Sequence, residues 1–320
     1  MMKAKRSLLT VMLTILVVFT STNLAVGAEL AKIVVQTPPT VGALPLIWIK
    51  EQGMLAEQAE LEIRVSPDHQ RGLALIAQKD IEMLVTGVNV GVKAYNRGID
   101  LRLVNTNIWG VDYLLTNGFE AGSWSDLRGK TLSLPLLGGP VDFLVRYFLL
   151  ENGVDPSEVD FVYTPSNNGA RSFQLGQVDA IVLPEPMVTI TLNNYEQAVL
   201  SLDLQEEWAK LYDGDNRIPF VGLFVRGDFA QDNLQLIETL KSLYVQGVEW
   251  VKANPKEAAS YAEKYFNQPA AVVEASFARV NLNLYPKDEE QDLLGRYFDA
   301  IRGIYPEMIG GQFPDEEFYF

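Results

Sequence analysis

Short runs of β-branched residues alternate with amphipathic segments along this chain, and the alternation limits the possible folds more than any other feature. The first runs are Lys32–Gln36, Ala59–Val65, Ile81–Val85 and Leu101–Val104. The rhythm restarts after Trp124–Gly129, with further runs at Lys130–Pro135, Val159–Tyr163 and Val178–Leu183. Strands that alternate with helices form mainly parallel sheets covered by helices on both faces. The sequence therefore predicts two α/β units of similar design, and its 320 residues suit two domains.

The section from Asp232 to about Arg302 has a different pattern, which is mostly helical. Its apolar residues recur at spacings of three and four, which is typical of a helix with one buried face. These residues are Ile237, Leu240, Tyr244, Val248 and Val251.

The first 28 residues read as a cleavable export signal. Lys3, Lys5 and Arg6 precede an apolar run from Leu8 to Phe19, and small residues suited to cleavage follow up to Ala28. The run is shorter than the roughly 20 residues that a membrane-spanning helix needs. Because no Cys follows the run, a lipid anchor is not expected, and the predicted location is the periplasm. Removing the signal would take the formal net charge from −15 to −18.

Composition and missing motifs exclude several classes of chemistry. The chain has no Cys and one His, so Cys-ligated metal, iron–sulfur and multi-His sites are not expected. The acidic balance argues against nucleic acid as a partner. We find no nucleophile-elbow, dinucleotide, phosphate-loop or zinc-protease motif. His69 lies at a strand-to-helix turn, where it is either an exposed helix-start residue or a ligand contact.

Polar turns follow five of the predicted strands, and four of these turns contain glycine. In an open α/β sheet such turns lie at one edge, where backbone N–H groups at helix starts bind anions or polar groups. The turns are Thr37–Gly42, Thr86–Asn89, Leu137–Pro140, Thr164–Gly169 and Pro184–Pro186. Five turns spread over two similar units predict a ligand held between two lobes.

The order of these segments resembles the sulfonate/nitrate/taurine and thiamine-precursor branch of ABC-transporter substrate-binding proteins, an SsuA/THI5-like family. The resemblance covers essentially the whole chain after the signal. The segments that carry it are Gly42–Leu55, Leu73–Met83, Ser125–Thr131, Phe173–Ala180 and Glu185–Pro186.

This resemblance implies an α/β, type II periplasmic-binding-protein fold with two lobes joined by two crossovers. We expect the crossovers near residues 112–117 and 219–225. Lobe 1 would comprise residues 29–113 plus 224–320, and lobe 2 residues 114–223. The family's role implies a small-molecule ligand, an ABC permease and its ATPase as partners, no cofactor or metal, no enzymatic activity and a monomeric state.

Carried over by position, the ligand-binding residues lie in the turns and near the first crossover. They are Thr40, Val41, Gly42, Thr86, Asn89, Trp109, Gly138, Gly139, Asp142, Asn167, Asn168 and Glu185. Trp109, and also Tyr113, would either stack on a planar ligand or simply pack. The turn Leu137–Pro140 lacks the hydroxyl donors that oxyanion-binding members carry, and Glu185 would repel an anion, so a sulfonate or nitrate ligand is in doubt.

Two other functions fit the same resemblance. A secreted sensor could present its ligand to a membrane receptor, and the sequence does not separate this role from transport. A relative of the fold synthesises the thiamine pyrimidine and uses a Cys-rich iron-binding motif. The absence of Cys and the export signal both weigh against that enzyme.

Overall fold

The structure is a computed structural model that describes residues 30–320, so the predicted export signal lies outside the described residues. The strands are β1 Ala31–Thr37, β2 Ala59–Val65, β3 Met83–Gly87, β4 Leu101–Ile108, β5 Asp112–Asn117, β6 Thr131–Leu134, β7 Asp160–Tyr163, β8 Ala180–Pro184, β9 Ala198–Asp203 and β10 Val221–Arg226. The α-helices are α1 Leu44–Glu51, α2 His69–Ala77, α3 Val88–Asn96, α4 Pro140–Glu151, α5 Ser166–Gln174, α6 Met187–Asn194, α7 Leu204–Leu211, α8 Gly227–Asp232, α9 Leu234–Ala253, α10 Pro255–Phe266, α11 Ala270–Ser276 and α12 Lys287–Ile304.

The strands form two five-stranded sheets of matching design. Lobe 1 contains the order β2-β1-β3-β10-β4, and lobe 2 contains the order β7-β6-β8-β5-β9. In each sheet one strand, β10 or β5, runs antiparallel to both of its neighbours. Both of these strands begin just after the chain has crossed between the lobes. The first crossing is residues 109–111, and the second ends at β10.

The strands β5, β9 and β10 were not recognised as strands from the sequence. Five of the seven predicted strands begin within one residue of an observed one, and β3 and β8 begin two residues later than predicted. The second helix of lobe 2 also differs, because α5 begins at Ser166 rather than at Ala170. Its first turn forms directly after Pro165, whose carbonyl accepts bonds from the N–H groups of Asn168 and Gly169.

The long helix α9 buries the apolar face that its spacing predicts. Ile237, Leu240 and Tyr244 are fully buried, and Val248 and Val251 nearly so. The helix packs on α1 at Gly247, where an added Cβ would lie 2.9 Å from the Cβ of Pro45. Glycine therefore permits the close approach of these two helices.

The C-terminal helices contact both lobes. Tyr297 of α12 packs edge-on against Phe143 of α4 at 5.5 Å and against Trp208 of α7 at 6.0 Å between ring centroids. On α11, residues pack against α6 of lobe 2. One continuous apolar core consequently runs from the lobe 1 sheet through α12 into lobe 2.

Candidate functional site

The loops that follow β3 and β6 meet between the lobes. Asn89 Nδ2 donates a hydrogen bond of 3.2 Å to the carbonyl of Gly138. Beside this bond, an added Cβ on Gly87 would lie 2.8 Å from Cγ of Pro140. Asn89 is fully buried, and its Oδ1 has no hydrogen-bond partner among residues 30–320. The carboxyl edges of the two sheets therefore face each other and are in direct contact through these loops.

The turn after β1 places Thr40, Val41 and Gly42 at this edge. Thr40 caps the 3₁₀ turn Val41–Ala43, and its Oγ1 accepts a bond from the N–H of Gly42 at 3.4 Å. Val41 is buried. The carbonyl of Gly42 accepts a 2.5 Å bond from the hydroxyl of Tyr244 on α9. The turn is thus tied to the helical section behind it.

Thr86 and His69 are hydrogen-bonded to each other at the start of α2. Asp68 begins this helix as its N-cap by accepting a bond from the N–H of Arg71. The Oγ1 of Thr86 lies 2.9 Å from Nδ1 of His69. Burial lowers the pKa of His69, so its imidazole is neutral at pH 7. His69 therefore offers a polar, uncharged ring rather than a cation.

The glycine turn after β6 is held in place by Asp142. Gly138 has a φ of +72°, and its N–H donates to Asp142 Oδ2 at 2.8 Å. The other carboxylate oxygen accepts bonds of 2.7 Å from Arg146 Nε and from the hydroxyl of Tyr163. Burial and this bond to Asp142 raise the pKa of Tyr163 to about 12. The fully buried Asp142 carboxylate thus has its oxygens engaged within lobe 2.

Gly139, Asn167 and Asn168 occupy helix starts in lobe 2. Gly139 is buried and is the N-cap of α4, which begins with Pro140. Asn167 and Asn168 are exposed in the first turn of α5 instead of lying in a loop. The expectation that they form part of the preceding turn was therefore wrong, because the helix starts four residues earlier.

Glu185 at the end of β8 is paired with an arginine that the sequence analysis did not single out. Its carboxylate accepts bonds from Thr189 N at 3.1 Å, from Thr189 Oγ1 at 2.9 Å and from Arg279 Nη1 at 3.0 Å. Burial raises the pKa of Glu185, and the bonds from Thr189 and the charge of Arg279 oppose this shift. Because Arg279 follows α11 in lobe 1, the ion pair bridges the lobes.

Two aromatic residues near the first crossing have their polar groups bonded within the protein. Trp109 is fully buried, and its Nε1 donates to the carbonyls of Thr106 at 3.2 Å and Asn283 at 3.1 Å. The hydroxyl of Tyr113 donates to the carbonyl of Arg279 at 2.9 Å. Both contacts join the crossing to the segment after α11.

The sequence analysis also missed Asn105 and Asn107 at the end of β4. Asn107 Nδ2 donates to Asn105 Oδ1 at 3.1 Å, and both side chains are buried. The sequence did carry a signal for these residues. The polar run Asn105–Thr106–Asn107 lies at the end of a strand, close to where the five recognised polar turns follow their own strands. By contrast, no motif marks Arg279.

Neither a metal centre nor a membrane helix is found in the part of the chain that the structure describes. Within residues 30–320, His, Asp and Glu do not gather into a group of three that could hold a metal ion. No helix in this range is both long enough and apolar enough to cross a bilayer.

A sequence model of the family described as NMT1/THI5 like matches residues 44–258. The chain belongs to the NMT1/THI5-like family. No curated protein sequence matches it significantly. The match to the family model confirms the predicted family.

Similar solved structures share its two-lobed fold. An ABC transporter protein from Parabacteroides distasonis has a TM-score of 0.74 at 19% identity, covering 91% of this chain and 99% of its own. The alkanesulfonate-binding protein SsuA from Xanthomonas axonopodis pv. citri, bound to MOPS, has a TM-score of 0.70 at 16% identity, with coverages of 90% and 96%. SsuA from Escherichia coli has a TM-score of 0.69 at 13% identity, with coverages of 88% and 96%. The expected periplasmic-binding-protein fold is confirmed.

Proposed function

We propose that this protein is the solute-binding component of an ABC importer, which captures a small polar or planar molecule between its lobes. The observation that carries the proposal is that the polar turns after β3 and β6 meet between the lobes, through the hydrogen bond from Asn89 to the carbonyl of Gly138. Polar side chains from both lobes converge there, and two crossings of the chain allow a hinge motion around them. The transporter names of the similar structures support the same role.

Capture without catalysis is the activity we propose. The two buried carboxylates of the cleft edge, Asp142 and Glu185, are each paired with an arginine. Their oxygens already accept bonds from these arginines and from neighbouring donors, so they are poorly placed to exchange protons with a substrate. The neutral His69 already uses one ring nitrogen on Thr86.

The proposed location is the periplasm, because the first 28 residues carry the features of a cleavable signal. There a monomer would bind its ligand, close, and dock on a membrane permease whose ATPase drives import. The ligand would belong to the sulfonate, nitrate-like anion or pyrimidine and thiamine-precursor classes.

Native mass spectrometry of the protein purified from its own periplasm tests the proposal. We expect a monomer that carries one small molecule, and small-angle scattering should show compaction when that molecule is added back after removal. Uptake of the molecule should be lost when the gene is deleted. A protein that retains no molecule and whose radius of gyration does not respond to periplasmic extract would contradict capture.

The Glu185→Ala variant tests the place of this residue in the site. We expect it to fold and to bind the retained molecule more weakly, because the orientation of Arg279 is lost with its partner. Glu57→Ala is the matched control, since Glu57 is exposed. Equal affinity of both variants by calorimetry would remove Glu185 from the site.

A further inference from the structure

Three buried asparagines of lobe 1 carry polar atoms without a hydrogen-bond partner in the described residues. The atoms are Asn89 Oδ1, Asn105 Nδ2 and Asn107 Oδ1. The residues are only 0%, 5% and 0% exposed. Buried polar groups are nearly always paired, and leaving one unpaired destabilises the folded protein. Three such atoms at the same end of one sheet therefore call for a bound partner.

An irregularity in β4 presents two of these side chains together. Thr106 lies opposite Gly222 of β10, whereas Ile108 lies opposite the adjacent Val221, which leaves Asn107 as the extra residue of a bulge. Bulges turn side chains away from their regular direction and are common beside binding sites. The bond from Asn107 Nδ2 to Asn105 Oδ1 then leaves one free acceptor and one free donor side by side. Rotating both amides would exchange these roles but keep one of each.

The neighbours of these asparagines locate them at the cleft. An added Cβ on Gly42 would lie 2.4 Å from Asn107 Oδ1, so the turn after β1 passes directly over this amide. The second free acceptor of the group is Asn89 Oδ1, at the start of α3. The Nδ2 of the same side chain donates to the carbonyl of Gly138 in lobe 2. The free atoms thus belong to the start of α3, directly after β3, and to the carboxyl end of β4, and the turn after β1 covers the latter.

The charges around this edge are mixed, because Lys93 Nζ lies 3.8 Å from the position of an added Cβ on Gly138, so the hydrogen-bonding atoms decide what the asparagines favour. Glu185 and Asp142 are compensated by Arg279 and Arg146 at 3.0 and 2.7 Å. Two free amide oxygens would repel an anionic oxygen, while they accept N–H groups readily. A donor–acceptor edge on a neutral molecule satisfies all three asparagines.

On the basis of the function proposed above, we propose that Asn89, Asn105 and Asn107 form a subsite for an uncharged ligand with adjacent hydrogen-bond donor and acceptor atoms. A primary amide, a lactam or a cyclic ureide has such an edge. Asn105 would donate to the ligand's acceptor, and Asn107 and Asn89 would accept from its N–H groups. The residues would select a neutral ligand over its anionic counterpart.

Matched pairs of probes test the subsite on the mature full-length protein. The pairs are nicotinamide with nicotinate, and benzamide with benzenesulfonate, followed by thermal shift and calorimetry. We expect the amides to raise Tm in a concentration-dependent way and the anions to do so at least tenfold less effectively. Asn107→Leu should weaken amide binding by roughly tenfold or more, because it removes a buried acceptor. Thr191→Val is the control, since it also removes a buried, unpartnered oxygen, but from α6 in lobe 2.

A measurement without any probe separates a ligand role from a structural one. If the Asn105 and Asn107 amides serve the ligand, the double variant Asn105→Leu/Asn107→Leu, which removes their mutual bond without leaving an unpaired partner, should leave the Tm of the ligand-free protein unchanged or higher. A lower Tm for this ligand-free double variant would show that the amides support the fold, and it would overturn the proposal. Equal amide binding by the wild type and Asn107→Leu would also overturn it.

The remaining outcomes distinguish this proposal from the function on which it rests. Binding of the anionic probes alone overturns the neutral subsite and leaves solute capture intact. Failure of every amide to raise Tm also overturns the subsite. If native mass spectrometry then finds no retained molecule either, solute capture fails with it.

Discussion

Asn89 of lobe 1 and Gly138 of lobe 2 are joined by a hydrogen bond of 3.2 Å that links the loops after β3 and β6. The bond connects the two sheets at the edge where each carries its glycine-containing turns. Gly138 has a left-handed backbone with a φ of +72°, and its N–H donates a hydrogen bond to Asp142 that holds this conformation. At this edge the lobes are therefore joined through the side chain of Asn89, in addition to the ion pair of Glu185 with Arg279.

Replacing Asn89 should loosen the contact between the lobes. Asn89→Leu removes a bond with a net value of about 1 kcal/mol, which corresponds to a roughly fivefold larger open population. Small-angle scattering of the ligand-free protein should show a larger radius of gyration. Asn194→Leu is the control, because its side chain bonds only Ile190 of its own helix. Equal radii for the two variants would contradict the role of Asn89.

Removing the Asp142 carboxylate should destabilise lobe 2 strongly. Asp142→Ala leaves Arg146, which is 20% exposed, without its partner and frees the N–H of Gly138. Breaking such a buried pair costs about 3–5 kcal/mol. Urea unfolding should show this loss, whereas Asp299→Ala should cost less than about 1 kcal/mol because both members of its pair with Arg302 are exposed.

A different result would restore Asp142 as a ligand residue. If Asp142→Ala unfolds like the wild type but binds the retained molecule more weakly, the carboxylate serves the ligand rather than the Gly138 turn. The two roles are separable because unfolding and binding are measured independently.

The sequence predicted the parallel framework better than the crossings and the ion pairs. Strands such as β1 and β2 form apolar or alternating runs that follow from periodicity alone. The strand β5 begins with Asp112, and β10 ends with Arg226, so neither reads as a uniform buried run. These strands form because the chain enters a neighbouring sheet, which is a tertiary effect.

The residues of the candidate site, too, could be predicted only in part from the sequence. The polar turns were recognisable, because the carboxyl edge of an α/β sheet is defined by chain order. The partner of Glu185 was not, because Arg279 is 94 residues away and no local pattern marks it. The sequence suggested that Glu185 would repel an anion, whereas the structure compensates its charge.

Trp109 should act through packing rather than through ligand contact. Trp109→Phe keeps an aromatic ring against Tyr285 but removes the N–H that serves Thr106 and Asn283. We expect a loss of about 1–3 kcal/mol in unfolding free energy and an unchanged affinity for the retained molecule. The control is Trp48→Phe, which keeps its stacking partner Trp250. A drop in affinity without a loss of stability would instead support stacking on a ligand.

Asp112 should make the stability of the protein fall as the pH rises. This carboxyl group is 3% exposed at the start of β5, and no ion pair involves it in residues 30–320. Burial raises its pKa to about 7. In the unfolded chain the group titrates near pH 4, at about 3.9. Between these values the folded protein binds more protons, so the free energy of unfolding decreases as the pH increases.

The Asp112→Asn variant isolates this contribution. Each pKa unit corresponds to about 1.4 kcal/mol, so the variant should be more stable than the wild type by a few kcal/mol at pH 8. The difference should be small near pH 4 and vanish below about pH 3, where Asp112 is protonated in both states. Glu185 and Glu290 have pKa values raised by burial and add a slope of the same sign. The difference between wild type and variant cancels their slope.

Urea unfolding between pH 4.5 and 8 measures the difference in unfolding free energy between the wild type and Asp112→Asn, with the exposed Asp160→Asn as control. A variant with the same pH slope as the wild type would show that Asp112 is ionised in the folded protein.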